Sequence, residues 1–288
     1  MRSVVVTGVS TGIGWGAVKV LTGKGLHVFG SVRKQADADR LKAEFGAKFT
    51  PLLFDVMDEA AVRKGAEQVR DTLKGETLLG LVNNAGIAIG GPLLHQSLKD
   101  FRAQIDINLI GAFITTQAFL PQLGADRTLK GKPGRVVHIT SMGGKIGAPF
   151  LGAYCAAKHG LEGFSESLRR ELMIYGIDSL VIGPGAVKTA IWDKAEAQDI
   201  SIYANTDYKT ILEKFTQNFY AEGRNGLPVE RVGEEIYRML TMGSPPVRVA
   251  LAPSYFFDWW LPSSLPKRWV DAAFRSRLGL KLLPRKKS

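Results

Sequence analysis

"RSVVVTGVSTGIGWGAVKVL", residues 2–21, changes its period within one short stretch. Val4, Val5 and Val6 form an unbroken β-branched run, the composition of a strand buried on both faces. From Gly12 the pattern turns helical, and Gly25 closes it. Between the two, "TGVSTGIG" sets Gly8, Gly12 and Gly14 in a turn, where missing side chains allow a tight bend and close backbone approach to a ligand. A strand feeding such a turn and then a helix presents free helix N–H groups to a phosphate. The stretch therefore predicts a dinucleotide site, with Gly8, Ser10, Gly12, Ile13 and Gly14 around the pyrophosphate.

Outward from this turn the same alternation continues. Strands are expected at "HVFGSVR", "FTPLLFDV", "TLLGLVNNAG", "GRVVHITS", "DSLVIGPG" and "VRVALAP". Helices are expected at "ADADRLKAEFG", at "DEAAVRKGAEQVRDTLKG" with Asp58 as N-cap, and over 98–123, 152–175 and 230–242. Near-continuous apolar strands separated by helices indicate an α/β fold, a Rossmann-type doubly wound parallel sheet of about seven strands. Residues 1–252 form a dinucleotide-binding catalytic domain in this reading. Residues 190–228 break the rhythm after the sixth strand, where an open α/β sheet places its ligand, and are read as a substrate lid. Residues 253–288 form a basic amphipathic C-terminal extension.

At 288 residues and 45% hydrophobic, the chain can fill one large core. Its single cysteine, Cys155, cannot form an internal disulfide, and no charged-then-apolar leader precedes the first strand, so a cytoplasmic location is expected. The uncharged stretches 77–98 and 107–125 approach the length of a membrane span. Asn83, Asn84 and Pro92 interrupt the first, and Asn108, Thr115, Thr116 and Gln117 the second. Of the net charge of +11, the part from Pro246 onward carries +7, nine Lys/Arg against two Asp/Glu. No zinc-finger or RNA-binding motif accompanies that charge, so nucleic acid is not an expected partner, and no metal site is expected.

About 20 residues past the glycine turn, a site preferring NAD usually offers an acid to the adenosine ribose. Here Val32 is followed by Arg33 and Lys34, and an arginine can clamp a 2′-phosphate that an acid would repel. NADP(H) is the preferred cofactor in this reading, and Asp37 leaves NAD(H) open. Further on, "YCAAK" sets Tyr154 and Lys158 one helical turn apart on one face, with small residues between them.

Taken in order, TGxxxGIG at 7–14, "FDV" at 54–56, "NNAG" at 83–86, "DINLIGAF" with Asn108, "ITS" ending at Ser141, YxxxK at 154–158 and "PGAVKT" at 184–189 resemble the short-chain dehydrogenase/reductases, strongly over about 1–190. The resemblance implies Tyr154 as general acid/base and Lys158 on the nicotinamide ribose. It further implies Ser141 on the substrate oxygen and Asn108 holding a water that links Lys158 to solvent. A phenol pKa of about 10 is too high for an efficient base near neutrality, and Lys158 with a cationic nicotinamide nearby is expected to lower it. The resemblance also places Asp55 and Val56 at the adenine, Asn84, Ala85 and Gly86 along the ribose side, and Pro184, Gly185, Val187 and Thr189 around the nicotinamide. Trp15 and Gly16 depart from the small, helix-favouring residues usual there. A homodimer or homotetramer through 98–123 and 152–175 is implied in the same way.

The segments 87–94, 142–152 and the lid, with Trp192, Tyr203 and Phe219, are mostly apolar and suit a lipophilic small-molecule substrate. The "FF…WWLPSSLP" tail is similar to C-terminal segments of hydroxysteroid and retinol dehydrogenases. Val270, Phe274 and Leu278 at helical spacing, with cations between, fit peripheral contact with an anionic membrane, a partner subunit or the chain's own lid. The expected function is an NADP(H)-dependent oxidoreductase interconverting a lipophilic alcohol and its ketone or aldehyde, of steroid or retinoid type. Alternatives are an NAD-dependent dehydrogenase of a smaller alcohol and a non-catalytic dinucleotide-binding redox sensor.

Overall fold

The computed structural model describes residues 2–189 and 199–283. Seven parallel strands form one sheet, β1 (Ser3–Val6), β2 (His27–Val32), β3 (Phe49–Leu53), β4 (Gly80–Asn83), β5 (Arg135–Ile139), β6 (Asp178–Pro184) and β7 (Arg248–Leu251). Their spatial order is β3-β2-β1-β4-β5-β6-β7. The order reverses between β1 and β4, which opens a crevice at the carboxyl ends of those two strands.

The longer helices among the described residues are α1 (Gly12–Gly23), α2 (Gln35–Phe45), α3 (Glu59–Leu73), α4 (Leu98–Ile105), α5 (Gly111–Phe119), α6 (Gly152–Glu171), α7 (Lys209–Arg224), α8 (Val229–Thr241) and α9 (Lys267–Leu278). The alternation of β1 divides the core. Val4 and Val6 join the layer holding α1 and α8, while Val5 joins the opposite layer with Val62 and Val69 of α3 and Phe119 of α5. All three valines are fully buried, which for each side chain is worth roughly 1.5–3 kcal/mol over exposure.

Three expectations are refined. Asp58 does cap α3, accepting a hydrogen bond from the Ala61 amide. The helix expected over 98–123 is instead α4, a π-turn over Asp106–Ile110, α5 and a closing 3-10 turn. Gly16 is a close-packing residue, since a Cβ there would lie 2.7 Å from the Val229 Cβ. Glycine costs up to about 1 kcal/mol of helix propensity, and in return lets α1 lie directly against α8.

Residues 199–226, within the stretch read from sequence as a lid, pack with the tail as one subassembly. Phe150, Tyr203, Leu212 of α7 and Leu278 of α9 are buried together, flanked by Phe215 and Phe274. Arg277 of α9 also pairs with Glu222 of α7. Of the three surfaces open to the tail helix in the sequence, the one its Leu278 face meets belongs to the stretch read there as a lid. Trp192 and the terminal basic run at 285–287 lie outside the described residues. No described helix is long and apolar enough to cross a membrane.

Candidate active site

Thr7, at the end of β1, organises the crevice. Its hydroxyl accepts from the backbone amides of Asn84 (2.9 Å) and Ala85 (3.0 Å), holding the loop after β4 beside the glycine turn. The Asn84 amide group donates back to the carbonyls of Thr7 (2.9 Å) and Gly8 (3.1 Å). Gly8 and Gly12 take left-handed φ values of 69° and 64°, which side-chain-bearing residues rarely adopt. A Cβ on Gly14 would sit 2.3 Å from the Gly8 carbonyl oxygen. No side chain caps the first turn of α1 and no acid lies in it. The turn is therefore a bare, electropositive cradle fitted to a pyrophosphate.

Thr189 closes the far side of this cradle, its Cβ 3.3 Å from where a Gly12 Cβ would stand. The strand leading to it is fixed by Gly185 N–H to Leu251 O (2.7 Å) and by pairing of buried Val187 with Leu227. Pro184 ends β6 inside the core.

At the adenosine end, Arg33 is exposed and reaches Asp55 at 3.6 Å, a long surface ion pair of little energetic weight. Lys34 is exposed at the start of α2. Asp55 also accepts from the Met57 amide, and buried Val56 packs where a Gly111 Cβ would be. Asp37, the residue that left NAD open, pairs with Arg40 at 3.1 Å. Arg40, not singled out in the sequence, donates to the Ser10 carbonyl (2.7 Å) and so braces the glycine turn.

Ser141, Tyr154, Lys158 and Asn108 converge beyond the cradle. The Ser141 hydroxyl donates toward the Tyr154 oxygen, and its own oxygen accepts from the Gly143 amide at 3.0 Å. The Lys158 ammonium lies 5.7 Å from the centre of the Tyr154 ring and donates to the Ile139 carbonyl (2.9 Å). The π-turn after α4 is what points Asn108 inward. There its side chain clasps Ile87 on both sides, accepting from the amide and donating to the carbonyl, each at 2.9 Å. Gly86 leaves the space between them, because a Cβ would lie 2.6 Å from Asn108 Oδ1 and 3.6 Å from Lys158 Nζ.

Burial pushes the Tyr154 phenol up to about 12 in the protein without cofactor, with the Ser141 hydrogen bond opposing. Burial lowers Lys158 to about 8. Cys155 is buried, its thiol raised by burial, with its sulfur facing the Ala148 amide rather than the Tyr154 face.

The sequence reading missed a second set of polar groups under these residues. His138 on β5 is fully buried, receives the Asn83 amide at Nδ1 (3.3 Å), and is lowered to about 3 by burial and then by the Lys158 charge. Glu162, one turn past Lys158 on α6, is buried against Arg248 and Thr140. Its i+4 spacing from Lys158 was the available signal. A narrow apolar cavity of about 30 Å³ is lined by Ala88, Leu151, Ile200, Leu212, Phe215 and Phe219, Leu151 standing just ahead of α6.

The sequence profile of the short chain dehydrogenase family matches residues 2–200. The chain is 37% identical over 274 residues to an NADPH-dependent 3-dehydrocapnine reductase of Ornithobacterium rhinotracheale, covering 95% of this chain and 96% of that one. It is 32% identical to human retinol dehydrogenase 16 over 75% of this chain and 71% of the relative. A 3-ketodihydrosphingosine reductase of Bacteroides thetaiotaomicron is 28% identical, with 87% of each chain covered.

Proposed function

The chain belongs to the short-chain dehydrogenase family and is an oxidoreductase, and from that premise we propose that it uses NADPH to reduce a ketone on a long lipophilic substrate. The observation that carries this reading is the grouping of Ser141, Tyr154 and Lys158 beyond the glycine cradle, with the Lys158 ammonium 5.7 Å from the half-buried Tyr154 ring, in a chain 37% identical to an NADPH-dependent reductase over 95% of its length. Carbonyl reduction needs a proton donor, and a phenol held at about 12 keeps its proton throughout the neutral range. NADPH, when bound, supplies the hydride that reaches the carbonyl carbon. Tyr154 gives its proton to the carbonyl oxygen, Ser141 hydrogen-bonds that oxygen as charge develops on it, and the alcohol results. Lys158 stands behind the phenolate so formed, and Asn108 holds the Ile87 loop beside it.

The cradle of Gly8, Ser10, Gly12, Ile13 and Gly14 would hold the pyrophosphate. Exposed Arg33 and Lys34, with no acid at Val32, favour a 2′-phosphate over a bare ribose. Asp55, Val56, Asn84, Ala85, Gly86, Pro184, Gly185, Val187 and Thr189 line the remaining course of the cofactor. The compounds in the names of two relatives, 3-dehydrocapnine and 3-ketodihydrosphingosine, are both oxidised at carbon 3, which favours such a ketone over a steroid as the substrate candidate. The exposed aromatics of the tail support contact with a bilayer from which such a molecule is drawn.

The test is nicotinamide absorbance with purified protein, offering NADPH and NADH in parallel against long-chain 3-ketones, retinal, steroid ketones and small polar ketones. Turnover of the long-chain ketone with NADPH supports the proposal. Turnover confined to small polar ketones, or to NADH, overturns the substrate or cofactor part.

A further inference from the structure

Glu162 is a buried carboxylate that the hydride-transfer chemistry does not use. It sits on α6 one turn beyond Lys158 and two beyond Tyr154, so it shares their helical face. Its Oε1 accepts from the Thr140 hydroxyl at 2.8 Å, its Oε2 lies 3.5 Å from the Lys145 ammonium, and Arg248 Nε donates to both oxygens at 3.1 and 2.9 Å. Thr140 immediately precedes Ser141, and Lys145 ends the 3-10 turn that follows it. One carboxylate therefore grips both ends of the segment that presents Ser141. The grip is close, because a Cβ on Gly144 would lie 3.1 Å from both Glu162 Cγ and Oε1.

The counter-charge is itself clamped. Arg248 on β7 lies against Gly183 of β6, and the ring of Trp259 covers its guanidinium at 4.1 Å. Trp259 is half-buried, unlike its exposed neighbours Phe256, Phe257 and Trp260. A buried carboxylate of this kind is tolerated only when paired and hydrogen-bonded, and the partners of Glu162 come from the two ends of the Ser141 turn and from β7.

We propose that Glu162 is a positioning residue for Ser141, locking the Ser141 turn to the Tyr154 helix through Thr140 and Lys145, with Arg248 under Trp259 as its fixed counter-ion. The inference rests on the reading of Ser141 and Tyr154 as the groups that meet the substrate oxygen. Displacing Ser141 by a fraction of an ångström weakens a contact made most strongly as charge develops, so the loss falls on kcat rather than on cofactor binding.

The experiment compares Thr140→Val, Thr140→Ser and Glu162→Gln for kcat, NADPH dissociation constant and amide hydrogen exchange across residues 141–147. Expected are a loss in kcat of about 10-fold or more in Thr140→Val and Glu162→Gln at unchanged NADPH affinity. Thr140→Ser, which keeps the hydroxyl, is expected to stay within about 2-fold. The double variant Thr140→Val/Glu162→Gln is expected to lose no more than the worse single one, because the two act as a unit. Should Glu162→Gln fail to fold, Thr140→Val, near-isosteric and leaving the Glu162–Arg248 pair intact, decides alone. Faster exchange of the 141–147 amides in Thr140→Val but not Thr140→Ser reads the same lock without substrate, so a wild type inactive on every ketone counts against the reductase reading only. Wild-type kcat and exchange in Thr140→Val, equal losses in the Val and Ser variants, or a kcat loss matched by weakened NADPH binding would overturn the proposal.

Discussion

At Tyr154 two influences compete for one proton: burial holds it on the oxygen, and the hydrogen bond to Ser141 favours its release. Burial wins, which suits donation to a ketone. Tyr154→Phe is expected to lower ketone reduction by at least about 10²-fold while leaving NADPH affinity, read by titration of protein fluorescence, within about 2-fold. Retained turnover would move the proton donor elsewhere. His138 yields a prediction on stability. Its folded-state pKa is depressed to about 3 against the usual 6.5, so the unfolded chain binds more protons between those values. Stability attributable to His138 is complete above about pH 6.5 and is lost as the pH falls toward 3. The difference in unfolding midpoint between wild type and His138→Asn should change across that window and be constant above pH 7; a constant difference throughout would exclude the assignment. The motif residues were legible in the sequence because each has a fixed spacing from a strand end or helix start. Glu162 and His138 were not, since a charged or imidazole side chain in an amphipathic stretch reads as surface until its neighbours are known.

Among the elements, the strands and the glycine-rich first turn followed from period and composition. The break in the 98–123 helix did not, because the π-turn at Asp106–Ile110 inserts its extra residue without a proline or glycine to announce it. The amphipathic spacing of Phe274 and Leu278 foretold a buried face on α9, but pattern alone cannot say against what. The structure supplies Leu212 and Phe215 of the lid helix. Leu278→Ala, which removes a nearly fully buried side chain from this small cluster, is expected to loosen α7 first, by about 2–4 kcal/mol of local stability. Limited proteolysis should then cut within 199–226 faster than in wild type, at unchanged NADPH affinity. Cleavage first within the sheet would show that the cluster is not an independent unit.

For the whole molecule, the positive charge noted in the tail and the apolar side chains left outside fall on one region. Tyr255, Phe256, Phe257, Trp260 and Trp269 are 48–68% exposed, in a segment that also holds Lys267 and Arg268, the latter exposed and paired only at 3.6 Å with Asp271. An aromatic and cationic surface of this kind is complementary to anionic lipid headgroups. Cosedimentation with vesicles containing anionic phosphatidylglycerol is expected, weakening with salt, and Phe256→Ser/Phe257→Ser/Trp260→Ser should reduce it about 10-fold or more. Equal binding by that variant, or equal binding to purely zwitterionic vesicles, would place the contact elsewhere.

The strand order carries one more consequence, for the chain as it leaves the ribosome. The strands that frame the cradle, β1 to β4, lie within the first 83 residues, and Thr189 and α8, which close it and back α1, follow before β7. Arg248 arrives more than a hundred residues after Ser141, in the last strand of the sheet. A nascent chain can therefore shape this crevice before the Ser141 turn is tied down, and a message cut short ahead of β7 would yield a product that has the crevice but lacks the strand carrying Glu162's counter-ion.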